Sequence, residues 1–219
     1  MTDKRVFIFD FDGLLVDTEQ VYRKGWRVAF DDAGLDMPDE ELDTWVGKSI
    51  DYTRAAVERS FGAGVYERLY AKREEYVYGL IARGEVHAKP YALEALRALA
   101  QAGIPVGVVT FSLRRRVEAI ADSLGMRPLI SHIVASEDVT RRKPDPEPYL
   151  RMLEALDADA CEAVAFEDSP TGREAAVAAG IEVYLVPDTS SSVAVPEGVR
   201  CEPDLSVVLR LIGPEGGSR

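Results

Sequence analysis

The sequence predicts an α/β fold: a doubly wound parallel sheet with an α-helical domain inserted near its start. Three observations carry this reading. Val6-Phe7-Ile8-Phe9 is an apolar run that stops on Asp10-Phe11-Asp12-Gly13. From Pro90 onward, apolar runs of strand length alternate with helical stripes, the pattern of right-handed crossovers between parallel strands. Between residues 16 and 86 the periodicity is helical, with no convincing strand.

The first run reads as a strand buried on both faces. Unpaired carboxylates are costly to desolvate, so Asp10 and Asp12 at its end call for a positive partner, a metal ion or Lys/Arg. Asp17 or Thr18 is placed to cap the next helix, whose stripe is Tyr22, Trp26, Ala29, Phe30 and Ala33 and which Gly34 stops. Pro38 opens a short acidic helix that reaches Trp45. Gly47-Lys48-Ser49 interrupts, and helices follow over 51–60 and 65–82, closed by Gly84. The expected domains are 1–15 with 88–219 for the α/β core and 16–87 for the insertion. Trp26 and Trp45 are assigned to the insertion's core.

In the core, Leu93, Leu96, Leu99 and Ala100 make a helical stripe ended by Gly103, and Ile104–Thr110 is a strand ending in a hydroxyl. A helix carrying Val117, Ile120, Ala121 and Leu124 leads to a strand over Leu129–Ala135. Pro148 to Leu156 is a helix, and Ala163 to Asp168 a strand ending in two acids. Thr171 to Ala179 is a helix stopped by Gly180, Ile181–Val186 a strand, and Asp204 caps a final helix through Leu211.

Net charge is -12, with 38 Asp+Glu against 26 Lys+Arg, which argues against nucleic acid as a partner. Cys161 and Cys201 make neither a disulfide framework nor a zinc pattern and fit a reduced cytoplasm. His87 and His132 lack metal-ligand spacing. The N-terminus has no signal-peptide pattern, and no uncharged apolar run is long enough for a bilayer. The expectation is a cytoplasmic monomer.

In a parallel sheet the carboxyl ends of the strands share one edge. Asp10, Asp12, Thr110, Glu167 and Asp168 therefore meet there, with Arg141-Arg142-Lys143 in an adjoining loop. Hard oxygens suit Mg2+, which takes one or two carboxylates and a substrate phosphate. Lys143 and Thr110 can hold the remaining phosphate oxygens. One carboxylate can attack phosphorus to form an aspartyl-phosphate; a second can protonate the leaving oxygen and later deprotonate water. Two other readings of single motifs fail on spacing. A calcium loop starting at Asp10 would place its glycine at Leu15, and a P-loop ending at Gly47-Lys48-Ser49 would place its first glycine at Leu42.

Four segments occur in order: Asp10-Phe-Asp12-Gly-Leu-Leu-Val-Asp-Thr-Glu19, Val108-Val-Thr110-Phe-Ser112, Lys143-Pro-Asp-Pro-Glu-Pro148 and Phe166-Glu167-Asp168-Ser169-Pro170-Thr171-Gly172. On these the chain resembles the haloacid dehalogenase superfamily, in its β-phosphoglucomutase/phosphoglycolate phosphatase-like branch, over nearly its whole length. The resemblance implies a Rossmann-like core and a helical cap closing over the substrate. It implies Asp10 as nucleophile, Asp12 as general acid/base, and Thr110, Phe111 and Lys143 as binders of the transferring phosphoryl group. It further implies Mg2+ held by Asp10, the Asp12 backbone carbonyl and Asp168, with Glu167 in or near the metal shell. Mutases of this branch carry a His where Tyr22 stands, a cap Arg where Ile50 follows Ser49, and a Lys where Leu113 precedes Arg114. An acid at Asp12 argues against carbon–halogen chemistry. The expected function is a Mg2+-dependent phosphatase acting on a small phosphorylated metabolite, a sugar or polyol phosphate, with Lys48, Ser112, Arg114 and Arg115 as candidate selectors. The alternatives are a phosphosugar mutase and a non-catalytic metal or phosphate-binding module; the intact Asp10/Asp12 pair argues against the module.

Overall fold

The computed structural model describes residues 3–45, 50–187 and 199–213. Two units are present: Met1–Val16 with Ala88–Arg219, and Asp17–His87. The first is built on six parallel strands, β1 (Val6–Phe9), β2 (Val106–Val109), β3 (His132–Val134), β4 (Ala163–Glu167), β5 (Glu182–Leu185) and β6 (Arg200–Cys201), in the order β3-β2-β1-β4-β5-β6. Strand order reverses beside β1, and open α/β sheets bind ligands at the carboxyl ends flanking such a reversal.

The second unit contains α1 (Glu19–Ala33), α2 (Asp39–Asp43), α3 (Ile50–Phe61) and α4 (Val65–Ala82). Its core is aromatic: Trp26 meets Trp45 edge-on with centroids 5.4 Å apart, and Phe30 and Tyr66 complete the cluster. Gly34 ends α1 at φ 64°, where a Cβ would be strained. The expected cap at the start of α1 is not made by a side chain. Thr18 holds the N-cap position with φ −93° and ψ −20°. That backbone is already helical, whereas side-chain capping needs an extended residue there.

The α/β unit adds α5 (Ala92–Gln101), α6 (Arg114–Ser123), α7 (Glu147–Ala155), α8 (Pro170–Ala178) and α9 (Ser206–Ile212). The buried face of α5 is Ala92, Ala95, Leu96 and Leu99; Ala100, expected in that stripe, is exposed. The strand expected from Leu129 starts only at His132, because Pro128 sits in a 3-10 turn over Arg127–Leu129. Asp204 Oδ1 accepts the Ser206 N–H at 2.9 Å, satisfying a free donor at the start of α9. No helix among the described residues is long and apolar enough to cross a membrane.

Register sets the site. Phe9 pairs with Phe166, and Phe166 with Tyr184. These rings stack across three strands, with centroids 4.9 and 5.5 Å apart. Side chains alternate faces along a strand, so Val6, Ile8 and Asp10 share the opposite face with Ala163, Ala165 and Glu167. That face packs on α7 and α8 through Tyr149, Met152, Ala175 and Ala176. Two carboxylates thus continue an apolar row that two helices cover, two residues along each strand from its last hydrophobic pair, Ile8 and Ala165.

Candidate active site

Lys143 answers the buried charge. It is 7% exposed, and its ammonium donates to Asp10 Oδ1 at 2.5 Å, Glu167 Oε1 at 2.6 Å and the Val109 carbonyl at 3.0 Å. Burial acts against that ammonium, but the charges of Asp10 and Glu167 outweigh it and raise its pKa. Burial pushes the Asp10 carboxyl up, Lys143 pulls it back, and the Glu167 and Asp12 charges push it up again, to about 8. Additional positive charge at this place would lower it.

The lysine's loop is built by Glu147. Its carboxylate accepts the Thr140 N–H at 3.0 Å, the Thr140 hydroxyl at 2.8 Å, the Arg141 N–H at 2.9 Å and Arg151 Nε at 3.0 Å. Those bonds close residues 140–147 into a compact turn with Lys143 inside it.

Glu167 is fully buried. Its Oε1 receives Tyr149 Oη as well as Lys143, and Ser169 Oγ approaches Oε2 at 3.5 Å. Gly172 on α8 lies against it: a Cβ built there would stand 2.0 Å from Glu167 Oε2. Ser169 caps α8, accepting the Gly172 N–H at 3.2 Å. Asp168 is half-buried.

On the other side of β1, Thr110 follows the end of β2 and its hydroxyl donates to Asp12 Oδ2 at 2.9 Å while accepting the Ser112 N–H at 2.9 Å. Phe111 is half-buried, and Lys143 Nζ lies 5.6 Å from its ring centroid, within cation–π range.

Asp10, Glu167 and Asp168 each present a carboxylate oxygen, all within 4.8 Å of one another. An all-oxygen set with excess negative charge fits Mg2+. Glu167's oxygens already receive Lys143, Tyr149 and Ser169, so this carboxylate enters the cluster with its oxygens engaged.

The expected selectors among the described residues do not share one environment. Lys48 lies outside the described residues. Ser112 is buried beneath the second strand end, its hydroxyl 3.4 Å from Arg116 Nη1. The Arg114 guanidinium donates to the Ile133 carbonyl at 2.9 Å and Asp138 Oδ2 at 2.5 Å, which ties it to the end of β3. Arg115 is exposed. Trp26 and Trp45 are buried in the helical unit, and His87, His132, Cys161 and Cys201 are exposed. Sequence reasoning missed Tyr149 and Glu147. The signal for Tyr149 was a phenol in the otherwise apolar stripe Tyr149, Met152, Leu153.

Residues 7–186 match the family model of haloacid dehalogenase-like hydrolases. Validoxylamine A 7'-phosphate phosphatase of Streptomyces hygroscopicus subsp. limoneus is 31% identical over 93% of this chain and 95% of its own length. Protein CbbY of Rhodobacter capsulatus is 31% identical over 84% of this chain and 85% of its own. The crystal structure of CbbY from Rhodobacter sphaeroides in complex with phosphate superposes with a TM-score of 0.80 at 26% identity, over 92% of this chain and 94% of that one.

Proposed function

We propose that this chain, which belongs to the haloacid dehalogenase-like hydrolase family, is a Mg2+-dependent phosphatase of small phosphate monoesters that works through an aspartyl-phosphate. One observation carries the proposal: a buried lysine bonded to Asp10 on the same sheet edge as a cluster of three carboxylates. The 7'-phosphate phosphatase relative and the phosphate-bound CbbY structure support phosphate esters as the substrate class.

Asp10, Asp168 and the Asp12 backbone carbonyl would hold Mg2+, with Glu167 beside them. When bound, the ion would offset the charge of the carboxylates and of the phosphoryl oxygens. Asp10 attacks phosphorus, and the bond from phosphorus to the ester oxygen breaks. Asp12 gives that oxygen its proton. Lys143 and Thr110 hold the phosphoryl oxygens, Lys143 as a fixed charge in a largely dehydrated place. Water then attacks the aspartyl-phosphate, Asp12 takes its proton, and inorganic phosphate leaves with Asp10 restored. The helical unit, Asp17–His87, is the proposed source of discrimination among esters, and sugar or polyol phosphates are the proposed class.

Hydrolysis of p-nitrophenyl phosphate and a panel of sugar phosphates, with and without Mg2+, tests this. We expect Mg2+-dependent release of inorganic phosphate and a loss of about 10³-fold or more in Asp10→Asn. Near wild-type turnover in that variant would reject the nucleophile. Isomerised sugar phosphate without free phosphate would reject the hydrolase.

A further inference from the structure

We infer that Tyr149 is a positioning residue for Lys143, acting through Glu167; the inference rests on the phosphatase reading of this site. An ammonium has three N–H groups, and Lys143 directs them to Asp10 Oδ1, Glu167 Oε1 and the Val109 carbonyl. To reach a phosphoryl oxygen, Lys143 must release one of them.

The three acceptors differ in their freedom. The Val109 carbonyl belongs to the last residue of β2 and is fixed by the sheet. Glu167 ends β4, is fully buried, and is hemmed in on separate sides. Tyr149 Oη donates to the same Oε1 that Lys143 uses. Gly172 Cα closes the space beyond Oε2, where even one added carbon would overlap the carboxylate. Glu167 is therefore held in place beneath Lys143 by Tyr149 on one oxygen and Gly172 beside the other. Asp10 is the acceptor that is given up, and it is the one whose oxygen becomes bonded to phosphorus. Lys143 keeps its two tethers and passes its third N–H from the nucleophile to the group being transferred.

Tyr149 is the part of this arrangement that an apolar residue would not supply. It is fully buried on α7, and its hydroxyl points at Glu167. Its ring also lies 5.4 Å from Lys143 Nζ, a contact that phenylalanine would retain. Tyr149→Phe thus removes the Glu167 latch and leaves packing and cation–π contact in place. Without the latch, Glu167 can rotate and Lys143 loses a fixed direction.

The test compares wild type, Tyr149→Phe, Lys143→Gln and the double variant. Inorganic phosphate binding is measured by calorimetry in Mg2+, steady-state kinetics on p-nitrophenyl phosphate, and folding by circular dichroism. Tyr149→Phe should keep the wild-type spectrum, bind phosphate about 10-fold more weakly and lose about 10-fold in kcat, the scale seen when a supporting partner of a site is removed. In the Lys143→Gln background the same substitution should add nothing, since residues acting as one unit are not additive. Unchanged affinity and kcat in Tyr149→Phe, with an active wild type, overturn the inference and leave the phosphatase reading standing. An equal loss in both backgrounds also overturns it, because Tyr149 would then act elsewhere. If Lys143→Gln does not fold, the phosphate affinity of Tyr149→Phe decides alone. A wild type that binds phosphate but hydrolyses no ester overturns the phosphatase reading, and the affinity comparison still judges Tyr149. A wild type that binds no phosphate overturns both.

Discussion

The Thr110 hydroxyl donates to Asp12 Oδ2 at 2.9 Å and joins the end of β2 to the loop that follows β1. Ser112 N–H donates to the same hydroxyl oxygen at 2.9 Å, so the single Thr110 proton is directed at Asp12 by a backbone group. The proposed acid/base is therefore oriented by a proposed phosphate binder. A phosphoryl group arriving at Thr110 would compete for that proton and release Asp12 Oδ2 as the substrate is seated.

Asp12→Asn tests the proton-transfer role with little change in shape, because the amide oxygen can still accept from Thr110. The expected loss in kcat is about 10²–10⁴-fold, the usual range for a positioned acid or base. Alkyl phosphates, whose leaving oxygen needs a proton, should lose more than p-nitrophenyl phosphate, whose leaving group hardly does. Kinetics on both ester types decides the matter under conditions where cleavage of the ester is rate-limiting. Equal losses there would place Asp12 outside proton transfer.

Gly172→Ala separates steric supply from backbone freedom. Any Cβ there would lie 2.0 Å from Glu167 Oε2, so helix α8 or the glutamate must move. Overpacking of this kind costs about 1–3 kcal/mol, and the displaced Glu167 should take Lys143 with it. Gly34 provides the contrast: nothing lies within 4 Å of its added Cβ, and only its φ of 64° resists substitution. Gly34→Ala should lower the melting temperature through strain alone and leave turnover per folded molecule unchanged, whereas Gly172→Ala should lower both. Melting curves and kcat for the two variants would show it; full activity in folded Gly172→Ala would remove Gly172 from the site's support.

The edge of the site was legible because an apolar run ending in acids is visible in one dimension. Asp10, Glu167 and Asp168 stand next to hydrophobic runs whose burial is unambiguous, and Lys143 follows a strand in the same sheet. The partners of Glu167 were not legible. They depend on the phase of α7 and on the depth at which α8 packs, neither of which a motif records. β6 was missed because its residues, Arg200 and Cys201, are exposed and carry no apolar pattern. The start of β3 was misread because Leu129 and Ile130 continue its apolar run, while Pro128 draws Leu129 into a turn. Arg114 looked free for substrate in the sequence, yet its guanidinium reaches back to Ile133 and Asp138.

Glu147 gives a pH dependence with a definite sign. Its carboxylate is held well below the usual range, first by the Thr140 N–H and then by the Thr140 hydroxyl, with burial acting against them and the Arg141 N–H and Arg151 adding to the lowering. A carboxylate that is harder to protonate in the folded chain than in the unfolded one stabilises the fold at every pH above the unfolded value. That contribution fades as pH falls below about 4.3, the ordinary glutamate value, because the unfolded chain takes up the proton first. Glu147→Gln keeps an acceptor oxygen but removes the charge, so it should be less stable than wild type at neutral pH. The gap should shrink steadily on acidification below about pH 4. Urea midpoints of the two proteins from pH 7 down to the acid transition would measure the gap directly. The loop that carries Lys143 hangs on the same bonds, so phosphate affinity at neutral pH should fall alongside stability. A midpoint difference that stays constant through the acid range would mean that the Glu147 charge contributes nothing and that its oxygens act only as neutral acceptors.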